Sequence, residues 1–322
     1  MNHINNTKNY ICLKQKTINN QITFSGVGIH NGRAVTMVID PAEEDTGIVF
    51  KRIDLKKNNI VEAKHSNIGV SSLCTKLINE KGVTVSTIEH LMAAFSAFGI
   101  DNALISINDA ELPALDGSSY EYVKKFTKSG IKEQNKNKKR IKVLREIKVS
   151  DGKRFISISP SNDLFVNIVI DYPNTIIGRS ELFYTHSKEN FINILSQART
   201  YALFEDIDKM RASGQAIGGS LKNAIVVDKY KILNPDGLKL DKEFVKHKTL
   251  DCIGDLYLLG IQLTGKINCF APGHRLNQKL IYKILEDQSN YKIEDAFLET
   301  STDQYSIFLN DDLSTQNFIN VA

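Results

Sequence analysis

His247-Lys248-Thr249-Leu250-Asp251 sets an imidazole and a carboxylate four residues apart. A helix through this stretch presents both from one face as a metal-binding pair. That helix is expected to run to about Leu259, close at Gly260 and lead into a strand over Lys266 to Phe270. Far upstream, Ser86-Thr87-Ile88-Glu89-His90 opens another helix, about thirteen residues long, capped by Ser86 and stopped at Gly99, before a strand over Ala103 to Ile107. The two stretches echo each other: His90 lies nine residues before Gly99-Ile100, and Asp251 nine before Gly260-Ile261. The halves read as duplicates, and two similar α+β layers facing each other would bring distant ligands into one cleft.

Two histidines and one aspartate leave the fourth position of a tetrahedral zinc ion open, as catalytic zinc sites do and closed structural sites do not. His90 would be the third ligand, beside Glu89, whose carboxylate could act on water rather than on metal. His274, in Phe270-Ala271-Pro272-Gly273-His274, is a last candidate. The set suggests a hydrolytic zinc enzyme. Each residue also has a plainer reading. An HxxxD pair is often a surface hydrogen bond, and Ser86 with Glu89 has capping-box spacing, in which Glu89 merely closes the first turn. Gly260 to Lys266 imitates a phosphate loop, but Ile267 stands where a Ser or Thr must reach magnesium. An HxxEH metalloprotease signature ending at Glu89-His90 would need a histidine at position 86, where the chain has Ser86.

With 322 residues, 42% of them hydrophobic, the chain can bury large cores, and two medium domains are preferred over one large one. The basic run from Lys132 to Lys148 lacks hydrophobic periodicity and reads as a solvated linker. Residues 135–141 would divide a first domain, 1–134, from a second, 142–301, and a polar tail, 302–322, carries no motif. A net charge of only +4, with no aromatic residues interleaved in that run, argues against nucleic-acid binding. Cys12, Cys74, Cys252 and Cys269 are widely spaced without a CxxC, which indicates neither a disulfide framework nor a thiolate zinc site and suits a reducing compartment. No apolar run reaches the length of a membrane span or signal core, so a soluble cytoplasmic protein without stable membrane insertion is expected.

Alternating runs read as strands over Ala34 to Ile39, Phe155 to Ile158 and Phe165 to Ile170. Further helices fit Tyr120 to Lys128, ended by Gly130, and about Glu189 to Ala198, capped by Ser187.

Ser25-Gly26-Val27-Gly28-Ile29-His30, Ser86 to Ala94, Leu115-Asp116-Gly117-Ser118, Ala198-Arg199-Thr200, Ile217-Gly218-Gly219-Ser220 and His247 to Asp255 occur in this order. Together they resemble the UDP-3-O-acyl-N-acetylglucosamine deacetylases, the zinc enzymes of lipid A, and so of lipopolysaccharide, synthesis in Gram-negative bacteria. The likeness runs from about Gln15 to Leu285. It implies an α+β fold of two domains of similar topology, each a β-sheet layered with two helices, the helices packed between the sheets and the site between the domains. Each domain would carry a small insert. The second insert, at about 201–228, would form an apolar passage for the acyl chain along Ala216 to Val227, past Gly219, Leu221 and Ala224.

The resemblance also implies roles. His90, His247 and Asp251 would hold Zn2+, and Glu89 would be the general base. His274 would be the cationic second catalytic group, oriented by Asp255, while Thr200 and Lys248 would hydrogen-bond the substrate carbonyl and stabilise the oxyanion. Tyr201, where relatives usually have Phe, keeps an aromatic face for the uracil and adds a hydroxyl. Ala271 replaces a Lys or Arg common near the substrate diphosphate, leaving Arg275 as the nearest basic residue in sequence. The implied reaction is hydrolysis of the acetamide of UDP-3-O-acyl-N-acetylglucosamine to the free amine and acetate, by a monomer. The runner-up is another metal-dependent amidohydrolase acting on an N-acylated sugar. A third reading, a sugar-nucleotide or lipid binder without activity, has no use for both Glu89 and His274.

Overall fold

The structure, a computed structural model, describes residues 9–300, so the expected polar tail from residue 302 lies outside the described residues. Its helices are α1 (Glu89–Phe98), α2 (Tyr120–Ser129), α3 (Lys188–Asn190), α4 (Phe204–Ala212), α5 (Glu243–Leu256) and α6 (His274–Leu285). The alternating strands behave as their pattern requires: in Ala34–Pro41 and Leu164–Tyr172 every second side chain is buried under the helices.

The duplication is visible in the sheet order. In the first half the strands lie side by side as Ile22–Val27, Ala34–Pro41, Ala103–Ile107, Ile48–Arg52, Ile60–Glu62. In the second the order is Ile147–Asp151, Arg154–Ser159, Gln262–Phe270, Leu164–Tyr172, Gly178–Thr185. Each half adds its last strand to the middle, antiparallel to the second strand and parallel to the third. A helix enters that middle strand, α1 or α5, and another leaves it, α2 or α6. Each half also places a small insert between its fourth strand and its entering helix. The first is a three-stranded sheet (Ile68–Gly69, Lys76–Ile78, Thr84–Ser86), and the second joins α4 to Tyr201–Leu203, Ile225–Asp228 and Lys231–Ile232.

Burial explains the layering. On α1 the side chains of Leu91, Met92, Ala93, Ala94, Phe95, Ala97 and Phe98 are all buried, and α5 is buried on nearly every side. Helices buried all round belong in an interior, and the polar groups of α5 are buried with it, whereas α2 buries only the stripe Tyr122, Val123, Phe126. Accordingly α1 packs on α5 in the centre, with α2 beside α1 and α6 beside α5 against their own sheets. Gly254 permits the central contact, since a Cβ there would stand 2.0 Å from the Glu89 carbonyl oxygen.

Four local expectations change. Ser86 does not cap α1: it ends the strand Thr84–Ser86, paired with Lys76–Ile78, and its Oγ donates to the Ala110 carbonyl at 3.1 Å. The helix starts at Glu89, directly after Ile88. The run read as a solvated linker is strand. Ile131–Asn137 pairs with Lys14–Ile18, and Lys139–Val143 lies between Gln262–Thr264 and Tyr291–Asp295. Its lysines and arginine disguise the strand because they find acidic partners across it, Lys138 with Asp101 at 2.7 Å and Arg140 with Glu294 at 2.7 Å. Ser187 does cap its helix, accepting from Asn190 N at 3.0 Å, but the coil widens into a π turn and stops at Leu195, short of Ala198. The strand expected from Lys266 begins at Gln262, where it is already paired with Arg140. None of the four cysteines is in a disulfide, and among the described residues no helix is long and apolar enough to cross a membrane.

Candidate active site

Where α1 begins beside α5, three side chains converge. His90 Nε2 stands 3.1 Å from His247 Nε2, and each of them is 3.4 Å from Asp251 Oδ1. Donors held about 2.0–2.2 Å from a tetrahedral zinc lie about 3.3–3.5 Å from one another, so the triangle has the edges of such a site. His247 and Asp251 are buried, which rejects the surface hydrogen-bond reading of the pair. Burial pushes the His247 pKa well below its ordinary value, leaving the neutral imidazole that binds metals. Burial also opposes the charge on Asp251, but His247 and Lys248 outweigh it and hold the carboxyl well below the usual range. Lys248 Nζ donates to Asp251 Oδ2 at 2.9 Å, leaving Oδ1 toward the histidines.

Glu89, adjacent to a ligand, is buried, with Oε2 accepting from the Thr75 backbone N–H at 3.0 Å. It is therefore not a solvated helix start. Burial raises its pKa, with His274 and His90 pulling the other way. His274 Nε2 lies 3.9 Å from Glu89 Oε1. On the other side of the ring, Nδ1 donates to Asp255 Oδ2 at 2.8 Å, which turns Nε2 toward Glu89. Burial disfavours the imidazolium, yet Asp255, followed by Glu89 and Asp251, prevails and raises His274 to about 9. The pair thus sets a carboxyl with a raised pKa beside a cationic imidazole. The Asp255 carboxylate is saturated by Asn277 Nδ2 at 2.7 Å and by the Thr75 hydroxyl.

A cavity of about 480 Å³ opens from Glu89 and His90. Thr200, Tyr201, Gly219, Leu221 and Ala224 all line it, as does the apolar side of α4 with Phe204, Ile207 and Met210. The Tyr201 ring meets His247 edge-on at 5.5 Å, with Lys248 Nζ 5.5 Å above its face. Its hydroxyl donates to Tyr172 Oη at 3.0 Å, so the extra oxygen relative to Phe is satisfied inside the protein. Arg275 is exposed on the first turn of α6 and does not line this cavity. A nearer cation at Ala271 is Arg154, whose Nε donates to the Ala271 carbonyl at 2.9 Å.

Thr75, Tyr172 and Arg154 escaped the sequence reading. Nothing in Cys74-Thr75-Lys76 marks a threonine that touches Glu89, Asp255 and His274 at once. Tyr172 and Arg154 sit in ordinary strand alternation, and only the sheet order places them here. The α4 wall could have been found from its apolar Phe204, Ile207 and Met210 at helical spacing.

A family model described as UDP-3-O-acyl N-acetylglycosamine deacetylase matches residues 15–286. The chain is 41% identical over 288 residues to the UDP-3-O-acyl-N-acetylglucosamine deacetylase of a Nitratiruptor species, covering 89% of this chain and 96% of that relative. Proteins of the same name from Shewanella frigidimarina and Shewanella oneidensis are each 40% identical over 281 residues, 87% of this chain and 92% of theirs. With matches of that length on a site of this geometry, the chain belongs to the UDP-3-O-acyl N-acetylglycosamine deacetylase family.

Proposed function

We propose that this deacetylase hydrolyses the acetamide of UDP-3-O-acyl-N-acetylglucosamine, a step of lipid A biosynthesis, with a zinc ion held by His90, His247 and Asp251. The observation that carries the reading is the open triangle of donors at the end of the cavity, with Glu89 and His274 poised beside it. When bound, the ion supplies a Lewis acid that polarises the acetamide carbonyl and makes water acidic enough to attack at neutral pH. Glu89 accepts a proton from the attacking water. His274 Nε2 donates a proton to the departing nitrogen, so that it leaves as a neutral amine rather than an amide anion. Acetate and the free amine are the products. General acid-base steps of this kind contribute roughly 10²–10⁴-fold each. The Thr200 hydroxyl and Lys248 Nζ donate to the carbonyl oxygen as it gains charge. Asp255 holds His274 charged and aimed.

The apolar cavity between α4 and Gly219, Leu221 and Ala224 suits the acyl chain, and Tyr201 presents a ring for the uracil. Arg275 and Arg154 flank the turn before His274 and suit the diphosphate. The domains divide at the 135–141 crossing, where the chain passes from a strand of the first half to one added to the second sheet. The donor set is complete within one chain, so a monomer suffices, and the free cysteines suit the cytoplasm. The test is acetate release from the UDP-linked substrate with and without a chelator, alongside free N-acetylglucosamine as the competing substrate. Equal turnover of the free sugar, or activity indifferent to the chelator, would overturn the proposal.

A further inference from the structure

Arg199 and Glu243 form a nearly water-free ion pair one turn away from the metal ligands. Glu243 is fully buried and Arg199 is 5% exposed. The guanidinium is bidentate, Nε to Oε1 at 2.8 Å and Nη2 to Oε2 at 3.1 Å, and the backbone N–H of Arg199 adds a third bond to Oε1 at 3.1 Å. Lys239 N donates to Oε2 at 2.7 Å, and Arg199 Nη2 also reaches the Gly237 carbonyl at 2.9 Å. One carboxylate on the first turn of α5 therefore ties down both the segment before Thr200 and the loop before α5.

A turn from the other half closes the ring. Gly117 accepts from Thr200 N at 2.8 Å, and Asp116 Oδ2 accepts from Lys239 Nζ at 2.9 Å. Gly117 has φ +82°, and a Cβ on it would lie 2.1 Å from the Asn223 carbonyl oxygen, so only glycine lets the turn come this close. Thr200 is thus held on both sides of its Cα, before it by the Arg199 backbone N–H and its own N–H, and after it by its carbonyl, which accepts from Ile225 N at 2.8 Å.

Buried ion pairs are weak evidence for stability, because desolvation of both charges offsets their attraction. A preorganising task gives a better reason for the ring here. We propose that Arg199, Glu243 and the Asp116–Gly117 turn form a positioning ring for Thr200, holding its hydroxyl where the carbonyl oxygen of the substrate gains charge. This rests on the oxyanion role proposed for Thr200. Misplacement of such a donor by about 1 Å can cost on the order of 10²-fold in rate. The hydrogen bonds and ion pairs that make the ring join its side chains to one another and to backbone rather than to the three metal ligands, so the effect belongs in kcat rather than in metal content.

The test is a double-mutant cycle in the metal-loaded enzyme, with Thr200→Ala, Arg199→Lys and both together, reading kcat, KM and bound metal. Arg199→Lys keeps the charge and loses the fork. The ring predicts that Arg199→Lys lowers kcat about tenfold or more, leaves KM and metal within about twofold, and adds little to Thr200→Ala. Asp116→Asn, at the partly exposed arm, is a milder second entry that tests the same ring if Arg199→Lys fails to fold. Additive losses, an unchanged kcat, or a loss carried by metal release would overturn the ring. A Thr200→Ala enzyme of full activity would instead remove the oxyanion reading itself, which separates the two failures.

Discussion

Asp255→Asn isolates the charge that keeps His274 an acid. The substitution preserves shape and leaves an oxygen to accept from Thr75 or Asn277, so the buried polar cluster stays partnered. What it removes is the counter-charge 2.8 Å from His274 Nδ1. His274 stands at about 9 against an ordinary 6.5, a difference worth roughly 3 kcal/mol in favour of the imidazolium. Without Asp255 the burial that opposes the charge is balanced only by Glu89 and Asp251, so His274 falls back from about 9 toward its ordinary value. At pH 8 a group at about 9 is about nine-tenths charged and one at 6.5 about 3%, so a full return to the ordinary value lowers kcat/KM about thirtyfold. A bound divalent ion would lower both limbs together, leaving their separation. The assay is kcat/KM from pH 6 to 10, where the alkaline limb of the variant should sit below that of the parent, by about 2.5 pH units for a full return to 6.5. Stability follows with the same sign. A histidine raised in the folded state contributes fully below its unfolded value of 6.5 and loses that contribution as pH rises through about 9. Asp255→Asn should therefore flatten the stability profile across that window. An unmoved alkaline limb in a folded variant would refute the pairing as the source of His274's acidity.

Four further outcomes are expected. His247→Ala should strip most bound metal, whereas Glu89→Gln should keep it and lose about 10²–10⁴-fold in kcat; metal analysis beside turnover separates the two. Activity should fall on the acid side as Glu89, raised by burial, takes up its proton, and the Glu89→Gln residual rate should lack that limb. Gly254→Ala forces a Cβ onto the Glu89 carbonyl and should cost about 1–3 kcal/mol of unfolding free energy together with metal affinity, so a neutral variant would argue against the close helix crossing. Ala224→Phe should shift the preferred acyl length toward shorter chains, measured across an acyl series, with an unchanged profile counting against the passage.

The triangle was legible because residues 247 and 251 share a helix face whatever surrounds them, and His90 stood out as a second imidazole beside a carboxylate; the spacing of each helix to its closing glycine pointed separately to duplicated halves. Both glycines do adopt the left-handed conformation that ends a helix, Gly99 at φ 64° and Gly260 at φ 83°. Ser86 misled because its spacing to Glu89 satisfies a local rule that a tertiary strand pairing overrides. The basic run misled for a related reason, since periodicity is read from hydrophobicity and this strand buries Lys138 and Arg140 through ion pairs instead. Thr75 could not be read at all: its task depends on an insert sheet in one half reaching α5 and α6 of the other. Contacts set by a helix's own geometry survive in the sequence, and contacts between halves do not.

The duplicated frame accounts for why the site lies where it does. Counting nine residues back from the closing glycines aligns His90 with Asp251, and the same alignment sets Ala93 against Gly254. Those are the residues at the central crossing, where a Cβ on Gly254 would meet Glu89 O at 2.0 Å and Ala93 N at 3.1 Å. Two equivalent helices can cross this closely only where both are small. Residues three positions earlier on each helix then face one another about one turn from the crossing, and they are His90 and Asp251, 3.4 Å apart. Symmetry supplies the meeting point but not the chemistry. Equivalent positions carry different residues, imidazole against carboxylate, and α5 extends about two further turns toward its N-terminus, adding His247, which has no counterpart on α1 because α1 begins at Glu89. The asymmetry brings the triangle to the cavity through His90, with Glu89 buried beside it, so the duplicated helices build the one-sided arrangement proposed for hydrolysis.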